Sequence, residues 1–183
     1  MKPLVVDFDD LCDAWNPWEL LHEWKDHNPN GKVTLFTIPR RSSDDLIRRY
    51  GELDWVELGM HGWWHFKGEC LYWGEEMLEP RMDMWEERGL AKVFKAPNWL
   101  TTKYLYGPLE KRGWIMADHN MNKELWEGRK NIYLYEKSGK TVPYRGVHGH
   151  THNVCNNGIE ESFNALMFRK DSEFRFITEV IDV

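Results

Sequence analysis

The sequence predicts an α/β domain built on a largely parallel sheet or barrel. Two observations carry this. Short apolar runs alternate with amphipathic segments along most of the chain, the pattern of strands joined by crossover helices. At 183 residues, 42% of them hydrophobic, the chain supports one compact core and barely two. Residues 1–183 are therefore read as one domain.

Each element follows from its local pattern. Residues 3–8 form a short apolar run, expected as a buried strand. Residues 18–27 place Trp18, Leu21 and Trp24 on one side of a helix. A strand at 32–38 precedes a helix at 43–50, where Ser42 or Ser43 resembles an N-cap. A third strand is expected at 55–60. The helix at 75–88 is expected to be interrupted, or to begin, around Pro80. A strand at 91–94, a helix at 101–111 and a short strand at 114–117 follow. Residues 131–137 and 141–148 are strand-like, and the turn at 138–140 between them allows a hairpin. A helix at 159–168 and a strand at 174–180 end the series.

Composition narrows the function classes. The net charge is -6 and no Lys/Arg run offsets it, so a nucleic-acid backbone is repelled. No apolar run approaches the roughly 20 residues of a membrane span, and no signal-peptide pattern opens the chain. A cytoplasmic protein without nucleic-acid or membrane partners is expected. Its oligomeric state is not readable. Cys12, Cys70 and Cys155 are odd in number and irregularly spaced, which argues for reduced thiols rather than disulfides or a cysteine zinc site. The 11 tryptophans are core anchors or ring platforms for a flat ligand such as a sugar; composition favours anchors.

In parallel α/β folds chemistry collects at the carboxyl ends of strands. After the first strand stands Asp7-Phe8-Asp9-Asp10. Alternation puts Asp7 and Asp9 on one side and Asp10 on the other until the chain turns. Neighbouring carboxylates repel unless a cation or proton separates them; a solvated acidic turn is the bland reading. After the third strand stands His61-Gly62-Trp63-Trp64-His65. Histidines four apart share one face of a helical turn, and imidazoles suit zinc; a partly buried pair among aromatics is the alternative. Lys95-Ala96-Pro97-Asn98-Trp99 and Asp118-His119-Asn120 follow the next two strands and read, by themselves, as ordinary polar loops. Late in the chain His148, His150 and His152 alternate, which suits metal binding, acid/base chemistry or a polar loop.

Taken in order, these segments resemble the polysaccharide-deacetylase (NodB-homology) family of carbohydrate esterases. Asp7-Phe8-Asp9-Asp10 is similar to its Thr-Phe-Asp-Asp motif, and His61 to His65 to its His-x-x-x-His motif. Phe94-Lys95-Ala96-Pro97 is similar to Phe-Arg-x-Pro, Asp118 to a later acidic residue, and Val147-His148 or His150 to a late Leu-x-His motif. Phe174 to Thr178 resembles the family's final strand. The resemblance implies an irregular (β/α) barrel. It implies Asp9 as catalytic base, Asp10, His61 and His65 as ligands of a divalent metal such as zinc, and Lys95 as the tether of Asp9. A late histidine would be the general acid; we favour His150, nearer the mouth, over His148 on the floor below. Trp63, Trp64, Pro97 and Trp99 are candidates for contact with substrate. Three departures stand out: Leu11 replaces the family's glycine, Lys95 replaces its arginine, and the late motif is degenerate.

The activity implied is metal-dependent removal of N-acetyl groups from an amino sugar or polysaccharide. The alternatives are hydrolysis of a non-carbohydrate amide or ester on the same scaffold, and a catalytically silent carbohydrate-binding protein.

Overall fold

The computed structural model describes residues 2–134, 142–154, 158–167 and 173–181. Its centre is a curled, all-parallel sheet. Strands β1 (Leu4–Leu11), β2 (Val33–Thr37), β3 (Val56–His61), β4 (Val93–Lys95), β5 (Ile115–Asp118), β6 (Ile132–Leu134) and β7 (Arg145–His150) lie in the order β6-β5-β4-β3-β2-β1-β7. A two-residue strand, β8 (Phe174–Arg175), pairs with the start of β1 at Leu4 and Val5. Those residues also pair with β7, and β2 joins β1 only from Asp7 onward. Strand β8 therefore takes the β2 edge of β1 below the point where β2 begins.

Helices α1 (Trp18–His27), α2 (Asp44–Gly51), α3 (Glu75–Glu86), α4 (Lys103–Lys111), α5 (Lys123–Trp126) and α6 (Ile159–Leu166) carry the chain between strands. Helix α2 starts where expected, with Ser43 Oγ accepting from the Leu46 N–H at 3.2 Å. Every residue of β1 is buried. Phe8 faces outward, its ring centroid 6.4 Å from that of Phe163 on α6. Alternation then turns Asp7 and Asp9 into the lumen. Seven of the eleven tryptophans, Trp24, Trp55, Trp63, Trp73, Trp85, Trp114 and Trp126, are buried, so most of them are core anchors.

Three expectations are corrected. Pro80 neither interrupts nor starts its helix but lies inside α3; its missing N–H is tolerated because packing of Leu78, Met82 and Trp85 holds the helix in place. The final strand shrinks to two residues, followed by a 3₁₀ turn at Ile177–Glu179. No hairpin joins β6 and β7 among the described residues, and the turn at 138–140 lies outside them. The two strands instead sit at opposite edges of the sheet. Tyr144 draws these edges together: its hydroxyl donates to the Leu134 carbonyl and accepts from the Leu134 N–H, both at 2.8 Å. A side chain thus satisfies backbone groups that a closed ladder would have paired. Cys12 and Cys70 are buried free thiols; Cys155 lies outside the described residues. No helix among the described residues is long and apolar enough to cross a membrane.

Candidate metal centre

The carboxyl ends of β1, β3, β4 and β7 meet over the lumen, and the site is assembled there. Strand β1 runs past Phe8 to Leu11, and its register against β2 shifts between Phe8 and Leu11. Within that irregularity Asp10 takes a left-handed backbone, φ 73°. This cancels the alternation expected of a regular strand. Asp9 and Asp10 consequently both approach His61, whose Nε2 lies 3.8 Å from Asp9 Oδ2 and 3.5 Å from Asp10 Oδ1.

His61, the last residue of β3, and His65 beyond it are brought together by a turn rather than a helix. Gly62 has φ +56° and His65 φ 63°. The carboxylate of Glu69 accepts from the backbone N–H groups of Trp63, Trp64 and His65 at 2.9, 3.1 and 2.9 Å. A side chain at position 62 would run into Glu69 and into Pro97, whose Cγ lies 2.6 Å from where Cβ would be. The result sets the His61 and His65 rings 4.9 Å apart, with His65 Nε2 2.8 Å from Asp10 Oδ1. Nothing in the local pattern marks Glu69 for this task.

The donor set suits a cation. His61 Nδ1 lies 3.1 Å from the Lys95 carbonyl. A carbonyl only accepts, so in the neutral ring the proton sits on Nδ1 and Nε2 presents a lone pair. That lone pair faces two carboxylate oxygens, a repulsive arrangement that a cation among them reverses. Asp10 Oδ1 is buried and makes no hydrogen bond. Asp10, His61 and His65 offer ligand atoms close enough to share one ion, and the Lys95 carbonyl fixes the His61 ring as outer-shell partners of metals do. Burial pushes the Asp10 carboxyl up, but hydrogen bonding, that of the His150 imidazole first, outweighs it and holds the group well below the usual carboxylate range.

Lys95 is buried, with Nζ 2.7 Å from Asp9 Oδ1 and 3.5 Å from Asp7 Oδ1. Burial raises the Asp9 pKa, yet the Lys95 ammonium and the nearby imidazoles lower it further, so Asp9 stays ionised. The Lys95 ammonium also sits over the Trp99 ring, 4.2 Å from its centroid.

On β7, register sets Asp7 opposite His148 and Asp9 opposite His150. His148 Nδ1 is 2.8 Å from Asp7 Oδ1, and its Nε2 is 3.7 Å from Asp9 Oδ2. His150 Nδ1 is 2.8 Å from Asp10 Oδ2. His152 lies beyond the strand but returns, placing Nε2 3.1 Å from the same oxygen. Asp118 is spent elsewhere, accepting from the Tyr106 hydroxyl and from Asn122 Nδ2. Among the substrate-contact candidates, Trp63 is buried, with the Arg40 and Arg81 guanidiniums 5.7 and 5.3 Å from its ring. Pro97 is also buried, wedged under the Gly62 turn. Trp64 is 44% exposed, and Trp99 is half-buried, its ring lying between the Lys95 ammonium and the His119 and His148 rings.

The sheet and the acidic and imidazole groups at its strand ends define a (β/α) barrel of the polysaccharide-deacetylase type. The fold is that of the NodB-type deacetylases, the family 4 carbohydrate esterases. No family model and no curated protein matches the sequence. Solved structures do match. The family 4 acetyl xylan esterase from Clostridium thermocellum, in complex with a cobalt ion, has a TM-score of 0.63 and 16% identity, covering 97% of this chain and 89% of that one. Peptidoglycan deacetylase PdaC from Bacillus subtilis has a TM-score of 0.60 and 12% identity over 98% of this chain and 89% of its own. A family 4 pseudoenzyme from Bacillus anthracis has a TM-score of 0.61 and 14% identity, covering 99% of this chain and 66% of that one. At such identities the likeness is one of fold.

Proposed function

We propose that this chain is a metal-dependent hydrolase that removes N-acetyl groups from an amino sugar or polysaccharide. The observation that carries the reading is the convergence of His61 Nε2, His65 Nε2 and Asp10 Oδ1 beside a lysine-held second carboxylate, Asp9. A divalent ion, zinc by the chemistry of these donors, fits this set. When bound, such an ion supplies Lewis acidity toward a carbonyl and lowers the pKa of water.

The remaining steps fall to the chain's own groups. Asp9, kept ionised by Lys95, is the general base. His148 is the proton donor to the leaving amine in this reading, in place of the His150 favoured by the sequence. In support, its Nδ1–H is anchored on buried Asp7 while Nε2 points toward Asp9. Its ring also meets Trp99 edge-on, with centroids 5.9 Å apart. The half-buried Trp99 and the exposed Trp64 are suited to stack on sugar rings. The buried thiols of Cys12 and Cys70 suit a reducing compartment, and a cytoplasmic location belongs to the same reading.

A silent carbohydrate-binding role is the second reading, favoured by one specific observation: a pseudoenzyme shares the fold. Metal analysis of the purified protein, paired with acetate release from N-acetylglucosamine oligomers, separates the two. Bound metal and released acetate are expected. Oligomer binding without acetate release supports the silent role, and release only from non-carbohydrate amides or esters moves the substrate class.

A further inference from the structure

His150 and His152 stand outside the ligand set, yet both close on Asp10, and on its other oxygen. His150 Nδ1 lies 2.8 Å and His152 Nε2 3.1 Å from Oδ2. An ionised carboxylate oxygen only accepts, so each of these two nitrogens, hydrogen-bonded to Oδ2, donates an N–H. For His152 the backbone gives an independent check. The Val154 N–H donates to His152 Nδ1 at 3.1 Å, which leaves Nε2 to carry the proton of the neutral ring. A protonated nitrogen has no lone pair for a metal. The two rings stack with centroids 5.4 Å apart at 26°, and Trp15 covers His152 from 4.4 Å. The pair is thus built into the wall.

Oδ1 differs. It makes no hydrogen bond, although His65 Nε2 lies 2.8 Å away, and it also faces His61, whose ring proton is held by the Lys95 carbonyl. One carboxylate therefore has two unlike ends: Oδ2, held by N–H donors, and Oδ1, which accepts no hydrogen bond and faces the Nε2 atoms of His61 and His65.

We propose that His150 and His152 are positioning residues that clamp Asp10 Oδ2 through two N–H donors, so that Asp10 offers Oδ1 alone to a single metal ion. This rests on the metal-centre reading above. It assigns two of the three late histidines to holding a ligand in place, because a carboxylate fixed by outer-shell donors cannot rotate into a bidentate or bridging mode. The rival arrangement is a second ion on Oδ2, since Asp10, His150 and His152 are themselves close enough to hold one.

Amide substitutions separate donors from ligands. Asparagine at position 150 sets an N–H where Nδ1–H stands, and glutamine at 152 does so for Nε2–H; neither offers an imidazole lone pair. Metal-free wild type, the H150N/H152Q double variant, and H150L and H152L single variants are titrated with cobalt(II). Calorimetry gives stoichiometry and affinity, the visible spectrum reports coordination, and circular dichroism checks the fold. Wild type and the double amide variant are expected to bind one equivalent with the same spectrum and affinities within a few-fold. Each leucine variant is expected to lose about tenfold to a hundredfold in affinity, the usual cost of an outer-shell partner. Two equivalents in wild type, or a changed spectrum in the double amide variant, would show that the pair ligates and overturn the proposal. Leucine variants with wild-type affinity overturn it as well. If leucine disrupts folding, the amide comparison decides alone. Wild type that takes up no cobalt sinks the metal-centre reading itself, a failure distinct from any in the variants.

Discussion

Asp7 and His148 face each other across the β1–β7 pairing, and the wholly buried Asp7 carboxylate accepts from His148 Nδ1 at 2.8 Å. A base or acid oriented by a buried carboxylate keeps one tautomer and one direction. H148A is expected to lower kcat by about 10²- to 10⁴-fold, the usual worth of a proton donor. D7N still lets an oxygen accept from the ring but removes the charge, and a smaller loss of about tenfold or more is expected. Metal content is unchanged in both. Steady-state kinetics on the metal-loaded variants checks this, and full activity in H148A removes His148 from the mechanism.

Asp9 and Asp10 are adjacent but are expected to fail differently. D9N should keep its metal and lose about 10²- to 10⁴-fold in kcat, because the amide is nearly isosteric and a poor base. D10N should lose metal, because it turns the Oδ1 site over to a neutral amide. Metal quantitation beside acetate release tells them apart, and equal metal loss in both would defeat the division of roles.

Lys95 is 1% exposed and pairs with two buried carboxylates. K95M leaves Asp7 and Asp9 without that counter-charge, and removing one partner of a buried ionic group typically costs about 3–5 kcal/mol. Urea denaturation of the metal-free protein should record a loss of that order. K95R, which keeps the charge but enlarges the head in a filled lumen, should fall between it and wild type.

Gly62 has a left-handed backbone and no room for a methyl group against Glu69 and Pro97. G62A should cost about 1–3 kcal/mol from backbone strain and should loosen the His61–His65 spacing. Thermal melts with and without metal test this: the metal-induced rise in Tm should shrink in G62A, whereas an undiminished rise argues that the turn does not set the site.

Glu57 lies low in the barrel, where its carboxylate accepts from the hydroxyls of Thr34 and Thr178. Burial raises its pKa above 4.5, more than those hydrogen bonds lower it. The folded state therefore holds this proton at a higher pH than the unfolded chain does. Its contribution is fully present below about 4.5 and declines as pH rises through the folded value. E57Q should remove that decline, so the stability difference between variant and wild type should grow toward neutral pH. Parallel chemical denaturation at several pH values measures it; identical pH profiles would exclude Glu57 as the source.

The order of strands and of every helix but the four-residue α5, and the residues at strand ends, were legible in the sequence, because they follow from local rules. Burial periodicity marks a strand or helix over its own few residues, and a polar residue after a buried run falls at a strand end wherever the strand sits. Asp9, Asp10, His61 and His65 were visible in that way, whereas Lys95 by itself read as an ordinary polar loop residue and stood out only through the family resemblance. What each side chain meets was decided by contacts between distant segments. Asp10 joins Asp9 in the lumen only because β1 breaks register against β2 and its backbone turns left-handed at that point. Glu69 organises the His61–His65 turn through backbone donors that no residue pattern reveals. The late histidines divide between Asp7 and Asp10 because the β1–β7 register sets residues 141 positions apart opposite one another, and the left-handed backbone at Asp10 turns that carboxylate to His150 and His152. Hydrophobic patterning sets which face of a segment is buried. The register between segments, and with it the partner of every buried polar group, is set by the packing of the whole barrel.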